Sequence, residues 1–447
     1  MAEASPPPDV TPPPPAEAEA EAKAEAPAEA EAGAKRGRAE DEGEGGAAEA
    51  GEAGPEAKKA KKGKKRKVAV FFAYVGEGYH GMQRNPGVHT LEDEMEKALH
   101  LAGGISKDNF GTLQKIHWMR SARTDKGVSA VGQVVSCKLV IEPEGVLDRI
   151  NAHLPKDIIA LGLRRVTMGF DARKMCDRRR YEYVLPEWAF DPSAHVGRRE
   201  AEERAGNGAA AAEGPAAAQS EFALGAAGLA RLNGLLKNYE GTHNFHNYTK
   251  GVDCRTAQAK RHMLSFHAEA FEACGERLVR CVVLGQSFML HQIRKMIGMA
   301  LAIMRGVAEE RHQIIAMRTS ASCNVPMAPE LGLFLDETIF HAYNNRFPDH
   351  QPLTQADFKG AVTKFKHDRL YPHITGKEAR EGTLKAWLKS LNDTNYKFSG
   401  WPRHRLDLKD KIHHHHQALG PTPAGAGAAA APAAEPAVAA DNGMELL

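Results

Sequence analysis

Three stretches of this 447-residue chain cannot build a core, and they set how much of it can fold. Residues 1–57 are Ala, Glu, Pro and Gly with almost no large apolar side chain. Fifteen acids against four bases leave that stretch at −11. Such a segment buries too little surface to repay the entropy of ordering it. Residues 417–447 repeat the composition with three acids and no base, and Pro192 to Ser220 interrupts the middle with another Ala- and Gly-rich run. The ends read as disordered tails. The middle run reads as a disordered insert within a fold, because strand and helix signals resume on both sides. About 67–190 and 221–400 remain, enough for one large domain or two intimate ones.

The charge follows the same division. Setting aside −11 and −3 at the two ends, the whole-chain +2 becomes +16 for residues 58–416, of which eight charges lie in Lys58 to Lys67. The folded part keeps about +8, which suggests a polyanionic partner. The basic run Lys58 to Lys67 suits nuclear import, with RNA contact or a solubilising flank as other uses. Six cysteines without paired spacing argue for a reducing compartment and against a Cys-ligated zinc site. The start has no signal-peptide pattern, and its acidity argues against a transit peptide. The longest apolar run, Met296 to Met304, is too short for a bilayer, so no membrane is expected.

Periodicity predicts strands over Val68 to Val75, Leu113 to Met119, Val131 to Leu139, Ile158 to Val166, Arg180 to Leu185, Arg261 to Ala268 and Arg277 to Leu284. Helices are predicted over Thr90 to Leu101 with Thr90 as N-cap, Glu144 to His153, Glu221 to Tyr239, Ser287 to Arg305, Gln355 to His367 and Lys377 to Leu391. Strands and helices come in runs without strict alternation, which favours α+β with a mostly antiparallel sheet.

Arg120 to Ala130 places one carboxylate, Asp125, between Arg123 and Lys126 on a short Gly-containing segment between two predicted strands. Cationic neighbours keep such a carboxylate ionised, which suits a nucleophile or base. On spacing alone, a surface Asp in a turn with incidental salt bridges is the favoured reading. Gly76-Glu77-Gly78-Tyr79-His80-Gly81 matches the dinucleotide fingerprint, but Pro86 and Gly87 intervene and no helix starts at the glycines to hold a pyrophosphate. These glycines read instead as a loop beside a substrate, and no cofactor is expected. His243-x-x-His246 lacks a further ligand at helical spacing, and His413 to His416 reads as a linker run, so no metal is expected either. His291 and Arg294 share a helix face just before an apolar stretch, where an Arg needs a carboxylate partner or snorkels to solvent.

Seven segments in one order resemble the TruA-type tRNA pseudouridine synthase family, in wording closest to its eukaryotic tRNA pseudouridine synthase 1 branch. They are Tyr74-x-Gly76-x-Gly78-Tyr79-x-Gly81-x-Gln83; Ala122 to Val128 with Gly132-Gln133-Val134-Val135; Asn151-x-x-Leu154-Pro155; Phe170-x-Ala172-Arg173; Arg180-Tyr181-x-Tyr183; Gln286 to Gly298; and Pro326-x-Ala328-Pro329-x-Leu331-Gly332-Leu333. Together they span about 68–345. The resemblance implies two sheet-containing halves joined into one extended, mostly antiparallel sheet flanked by helices, with a central RNA-binding cleft and a C-terminal helical extension. The implied division is a tail over 1–66, halves over 67–180 and 181–345 with the insert at 191–221, the extension over 346–400, and a tail over 401–447. It implies isomerisation of uridine to pseudouridine in tRNA without cofactor or metal, with messenger or small nuclear RNA as open additions.

By the same resemblance Asp125 is the nucleophile, Tyr181 the active-site tyrosine and Arg294 the basic residue paired with the aspartate. Whether Asp125 attacks C1′ or takes a proton from C2′ stays open. Arg123, Lys126, Gln83, Arg84, His291 and Lys295 are the RNA-binding candidates. Glu330 departs from the pattern, standing where small residues are common. A nuclear monomer is expected, with a non-catalytic tRNA-binding or tRNA-folding module as the rival reading.

Overall fold

In a computed structural model of the chain, residues 63–142, 144–192, 222–318 and 320–402 are described. The acidic start, nearly all of the Ala-rich insert and the His run at 413–416 lie outside them. The chain order is β1 (Lys65–Tyr74), α1 (Leu91–Leu101), β2 (Met119–Arg120), β3 (Ser129–Val140), α2 (Val146–His153), β4 (Ile158–Arg165) and β5 (Arg178–Pro186). It continues with α3 (Gly225–Lys237), β6 (Gly241–Asn244), β7 (Lys260–Ala273), β8 (Glu276–Gly285), α4 (Gln292–Met304), α5 (Glu310–Arg318), β9 (Leu333–Ile339) and α6 (His341–Arg346). Four further helices follow: α7 (Lys359–Phe365), α8 (Tyr371–Glu381), α9 (Thr383–Ser390) and α10 (Asp393–Tyr396).

Among the described residues the strands form one nine-stranded sheet in the order β4-β1-β3-β9-β5-β8-β7-β6, with β2 also on β3. Every pairing is antiparallel except β3–β9, a parallel contact of only two residue pairs, Ser129 with Phe334 and Ala130 with Leu335. Gly132 makes this seam possible: a Cβ there would meet the Asp336 carbonyl oxygen at 2.1 Å. Thr338 Oγ1 then donates to the Gly132 carbonyl at 3.0 Å. On β9, Leu335 and Glu337 face consecutive β5 residues, which leaves Asp336 as the extra residue of a β-bulge.

Because side chains alternate along a strand, the register sorts the sheet into two faces. One row runs Ile158, Tyr74, Ala130, Leu335, Tyr181, Val283, Phe266 across seven strands. These residues share one apolar cluster with Leu91 and Met95 of α1, Ile150 of α2, Leu232 of α3 and Met296 of α4. The opposite face, with Val131, Phe334 and Val184, is covered by Val362 and Phe365 of α7 and Tyr371 and Ile374 of α8. The expected class, α+β with a mostly antiparallel sheet, is the observed one.

Several boundaries differ from the sequence reading. Leu113 to Met119 is not a strand: Leu113–Ile116 is a 3₁₀ turn and only Met119–Arg120 pairs. Leu113 and Ile116, three apart, are both buried on one face of that turn, a spacing that a strand would split between its two faces. The basic run does not end outside the fold, since Lys65, Arg66 and Lys67 pair with β3, and buried Lys67 donates to the His117 carbonyl at 2.9 Å. The helix expected from Ser287 begins only at Gln292, after His291 takes a left-handed φ of 62°. Gly382, at φ 61°, breaks the last predicted helix into α8 and α9. Gly241–Asn244, expected as loop, is β6, and β9 was not foreseen at all.

A buried charge cluster backs the seam. Asp336 accepts from Arg180 Nε at 2.5 Å and Lys366 Nζ at 2.6 Å, and Lys366 also reaches Glu182 at 2.9 Å. Burial pushes the Asp336 carboxyl up, but Lys366 and Arg180 outweigh it and hold it below its ordinary value. Lys366→Met leaves two buried carboxylates short of a cation. It is expected to cost about 3–5 kcal/mol in urea denaturation, and a loss under about 1 kcal/mol would show that water already solvates these ions.

Candidate active site

Asp125 sits in the loop that carries the chain from β2 into β3, and nearly every residue of that loop is anchored. Arg120 is paired with buried Glu92 of α1 through Nε, and its second nitrogen reaches the same carboxylate at 3.1 Å. The Ser121 carbonyl accepts two bonds from Arg179, at 2.6 and 3.0 Å. Gln133 of β3 takes the Ala122 N–H on Oε1 at 3.3 Å and returns Nε2 to the Ala122 carbonyl at 3.0 Å. Thr124 shares a 2.8 Å hydrogen bond with the Tyr74 hydroxyl, and its carbonyl accepts from Met82 N at 3.1 Å. Val128 N donates to the Asp125 carbonyl at 3.1 Å, closing a turn with Gly127 at φ 76°. The partly buried Asp125 therefore rides on a backbone tied to both neighbouring strands and to α1.

The glycine-rich loop Gly76–Gly81 packs directly on this turn rather than opening a helix. Gly76 N donates to Ser129 Oγ at 3.0 Å, and Gly127 N donates to the Tyr79 carbonyl at 3.3 Å. A Cβ on Gly76 would stand 2.4 Å from the Val128 carbonyl oxygen, and one on Gly81 2.7 Å from that of Thr124. The glycines serve the close approach of this loop's backbone to the Asp125 turn.

Tyr181 reaches the same place across the sheet. Leu335 of β9 pairs with both Ala130, just beyond the Asp125 turn, and Tyr181, so one strand sets the separation of the two. Tyr181 is 7% exposed and stands edge-on to Phe288, with centroids 5.2 Å apart. Burial pushes its phenol well above the ordinary tyrosine range; Arg179 opposes this, while Tyr74 and Asp125 add to it. The phenol therefore carries its proton at neutral pH. Tyr74, also fully buried, is pushed up to about 12 by burial, against the pull of hydrogen bonds from Thr124 and Gln133.

Arg294 lies in the first turn of α4, its side chain 11% exposed. Its guanidinium donates to the Ala328 carbonyl at 2.7 Å and to Glu330 Oε2 at 3.0 Å. Glu330 in turn packs on the turn: its Cγ lies 3.3 Å from where a Gly127 Cβ would be. A carboxylate partner for this deep Arg is thus present in Glu330.

The remaining sequence candidates divide. Arg123 and Lys126 flank Asp125 and are exposed. Gln83 accepts from Arg120 at 3.3 Å, near the same loop. Arg84 is spent within the protein, on Asp93 and Glu96 at 2.6 Å each. His291 caps α4, and Lys295 donates to the carbonyls of Asn247 and Thr249 at 3.1 and 3.2 Å. Lys295 also lines an open polar cavity of about 1040 Å³ with Lys250, Arg255, Asn324 and His246. His243 and His246 do not act together on one point: His243 donates to the Glu240 carbonyl at 2.7 Å, and His246 Nδ1 to Asn244 Oδ1 at 3.0 Å.

Tyr74, Gln133, Arg179 and Glu92, which hold the turn, were not singled out by role. Tyr74 and Gln133 do stand inside the quoted motifs, which is the one signal that could have found them. Glu92 and Arg179 look like ordinary surface charges in sequence, and only the fold buries Glu92 and sets Arg179 against the loop.

A family profile described as tRNA pseudouridine synthase matches residues 235–341, a segment that holds Arg294 and Glu330, with Asp125 and Tyr181 preceding it. The chain is 40% identical over 356 residues to Pseudouridylate synthase 1 homolog of Mus musculus, covering 78% of each chain. It is 40% identical over 336 residues to Pseudouridylate synthase 1 homolog of Homo sapiens, covering 74% of each. It is 34% identical over 396 residues to tRNA pseudouridine synthase 1 of Eremothecium gossypii, again covering 74% of each.

The close approach at Gly76 yields a direct check. Gly76→Ala is expected to cost about 1–3 kcal/mol as an overpacked contact and to displace the amide resonances of Lys126 to Ser129. Unmoved resonances would mean that the loop and the turn are not in contact in solution.

Proposed function

Because the chain belongs to the tRNA pseudouridine synthase family, we propose that it isomerises uridine to pseudouridine in tRNA, with Asp125 as the group that acts on the sugar. The observation that carries this is the rigid seating of one carboxylate beside a buried tyrosine and an arginine-bearing helix start. The N1–C1′ bond breaks, the detached uracil turns, and a C5–C1′ bond forms. The proton lost from C5 is balanced by one gained at N1, so nothing is consumed and the enzyme is an isomerase. The target uridine leaves its stack first, since its sugar carbon is otherwise blocked. Tyr181 supplies a protonated, apolar ring wall against which the uracil turns. Arg294, shared with Glu330, supplies positive charge at the turn and helps keep Asp125 ionised.

RNA is held by Arg123 and Lys126 beside the carboxylate, with Gln83, Arg84, His291 and Lys295 bordering the path of the strand. Support comes from the exposure of the first two and from the wide polar cavity next to Lys295. The path is a cleft between the α1–α2 side and the α3–α4 side of the sheet face. Messenger and small nuclear RNA are further candidate substrates. The basic run from Lys58 to Lys67 supports a nuclear location. The helices from Lys359 onward form the C-terminal extension and favour a monomer, which a solution mass measurement tests.

The deciding experiment is tritium release from a tRNA transcript labelled at uridine C5. The natural chain is expected to release label, and Asp125→Ala at least about 10³-fold less. Release by both would remove Asp125 from the mechanism. Tight tRNA binding without release by either would leave the non-catalytic tRNA-binding module. Because the Tyr181 phenol is protonated below its raised pKa, the rate profile between pH 8 and 10 should show no limb that Tyr181→Phe abolishes.

A further inference from the structure

We infer that the contact between Glu77 and helix α8 is a positioning device for Asp125, with Glu77, Lys377 and His373 as positioning residues for the isomerisation. The inference rests on the Asp125 reading above. Glu77 Oε1 accepts from Lys377 Nζ at 2.7 Å, and His373 Nδ1 stands 3.2 Å from Oε2, so both oxygens of one carboxylate face α8. His373 and Lys377 are four residues apart and share one edge of α8. The neighbouring residues Tyr371 and Ile374 pack under the sheet in the cluster that contains Val75 and Val131. The helix is thus fixed to β1 and β3 while its polar edge reaches over to the loop. Its far end is fixed too: Glu378 accepts from Leu384 N at 2.7 Å and Lys385 N at 3.0 Å, which locks the corner into α9.

The other contacts of the gripped loop lead to the catalytic turn. Gly76, one residue before Glu77, donates to Ser129 and lies against the Val128 carbonyl. Tyr79, two residues after it, accepts from Gly127. A small cavity of about 90 Å³ is bordered at once by Glu77, Gly127, Glu330, His373 and Lys377, so helix, loop, turn and the Arg294 partner meet around one void. The Lys377 hydrogen bond, against a lesser cost of burial, draws the Glu77 carboxyl below its ordinary value, so it is ionised at neutral pH. Its side chain is 43% exposed, and pairs this exposed add little to stability. Geometry is different: a misplacement near 1 Å at a reacting group costs roughly 100-fold in rate. A contact too wet to hold the fold together is still placed to hold the turn.

The test uses Lys377→Met and Glu77→Gln in the full chain. Single-turnover release of tritium from saturating C5-labelled tRNA is expected to slow about tenfold. The tRNA affinity should stay within about twofold and Tm within about 3 °C. Lys377→Arg should run near the natural rate, and Glu77→Lys combined with Lys377→Glu should recover most of the loss. Natural rates in both single variants would overturn the inference, as would slowing that follows lost affinity and is not rescued by Lys377→Arg. Amide hydrogen exchange at Gly127 and Val128 is read on the same proteins without RNA. Faster exchange in the variants is expected, and unchanged exchange overturns the clamp. If the natural chain released no tritium, the Asp125 reading would fail while exchange still decided the clamp.

Discussion

Two residue pairs hold the sheet together. Among the described residues, the parallel contact of Ser129 and Ala130 with Phe334 and Leu335 is the only ladder between the first three core strands and the last five. So short a ladder contributes little by itself, since a backbone hydrogen bond adds only about 1 kcal/mol net. Side chains stitch it instead. Thr338 binds the Gly132 carbonyl, Gln355 binds that of Val131 at 3.0 Å, and the bulged Asp336 gathers Arg180 and Lys366 beneath it. A glycine at 132 is what lets the two backbones touch. The candidate site depends on this seam, because Asp125 lies on one side of it and Tyr181 on the other.

The loop bearing Asp125 shows how a fold makes a turn rigid without regular structure. Its backbone groups are answered by Arg179, Gln133, Met82 and Tyr79, which come from β5, β3 and the glycine loop. Buried polar groups are costly unless paired, and here the pairing is also the positioning. Burial keeps Tyr74 and Tyr181 protonated, so neither adds a negative charge near the carboxylate.

Much of this could be read from the chain itself. The Asp125 turn is flanked by cations and a glycine, Tyr181, Tyr183 and Leu185 alternate onto one core face, and Thr90 caps α1 with Asp93 answering its N–H at 3.0 Å. What could not be read depends on long-range company. Leu333–Ile339 carries Asp336 and Glu337 in its middle, so it did not look like a central strand; only Arg180 and Lys366, far off in sequence, make those charges tolerable. The 3₁₀ turn at Leu113–Ile116 is a single turn, too short for its apolar period to be told from that of a strand. The pairing of Glu330 with Arg294 joins residues 36 apart, and the local pattern around neither one announces it.

The order in which the chain is made gives the seam another meaning. Asp125 leaves the ribosome well before the strand that registers it against Tyr181, and Glu77 precedes its partner Lys377 by 300 residues. At about 5–20 residues per second, that interval lasts roughly 15–60 s. During it Asp125 rides on a loop that still lacks the frame β9 and α8 complete, next to a ribosome crowded with RNA. Assembly of the active geometry waits for β9 and α8, so competence arrives only as synthesis nears completion. A chain cut short after Arg294 would keep all three proposed catalytic residues and still lack the frame that makes them an enzyme.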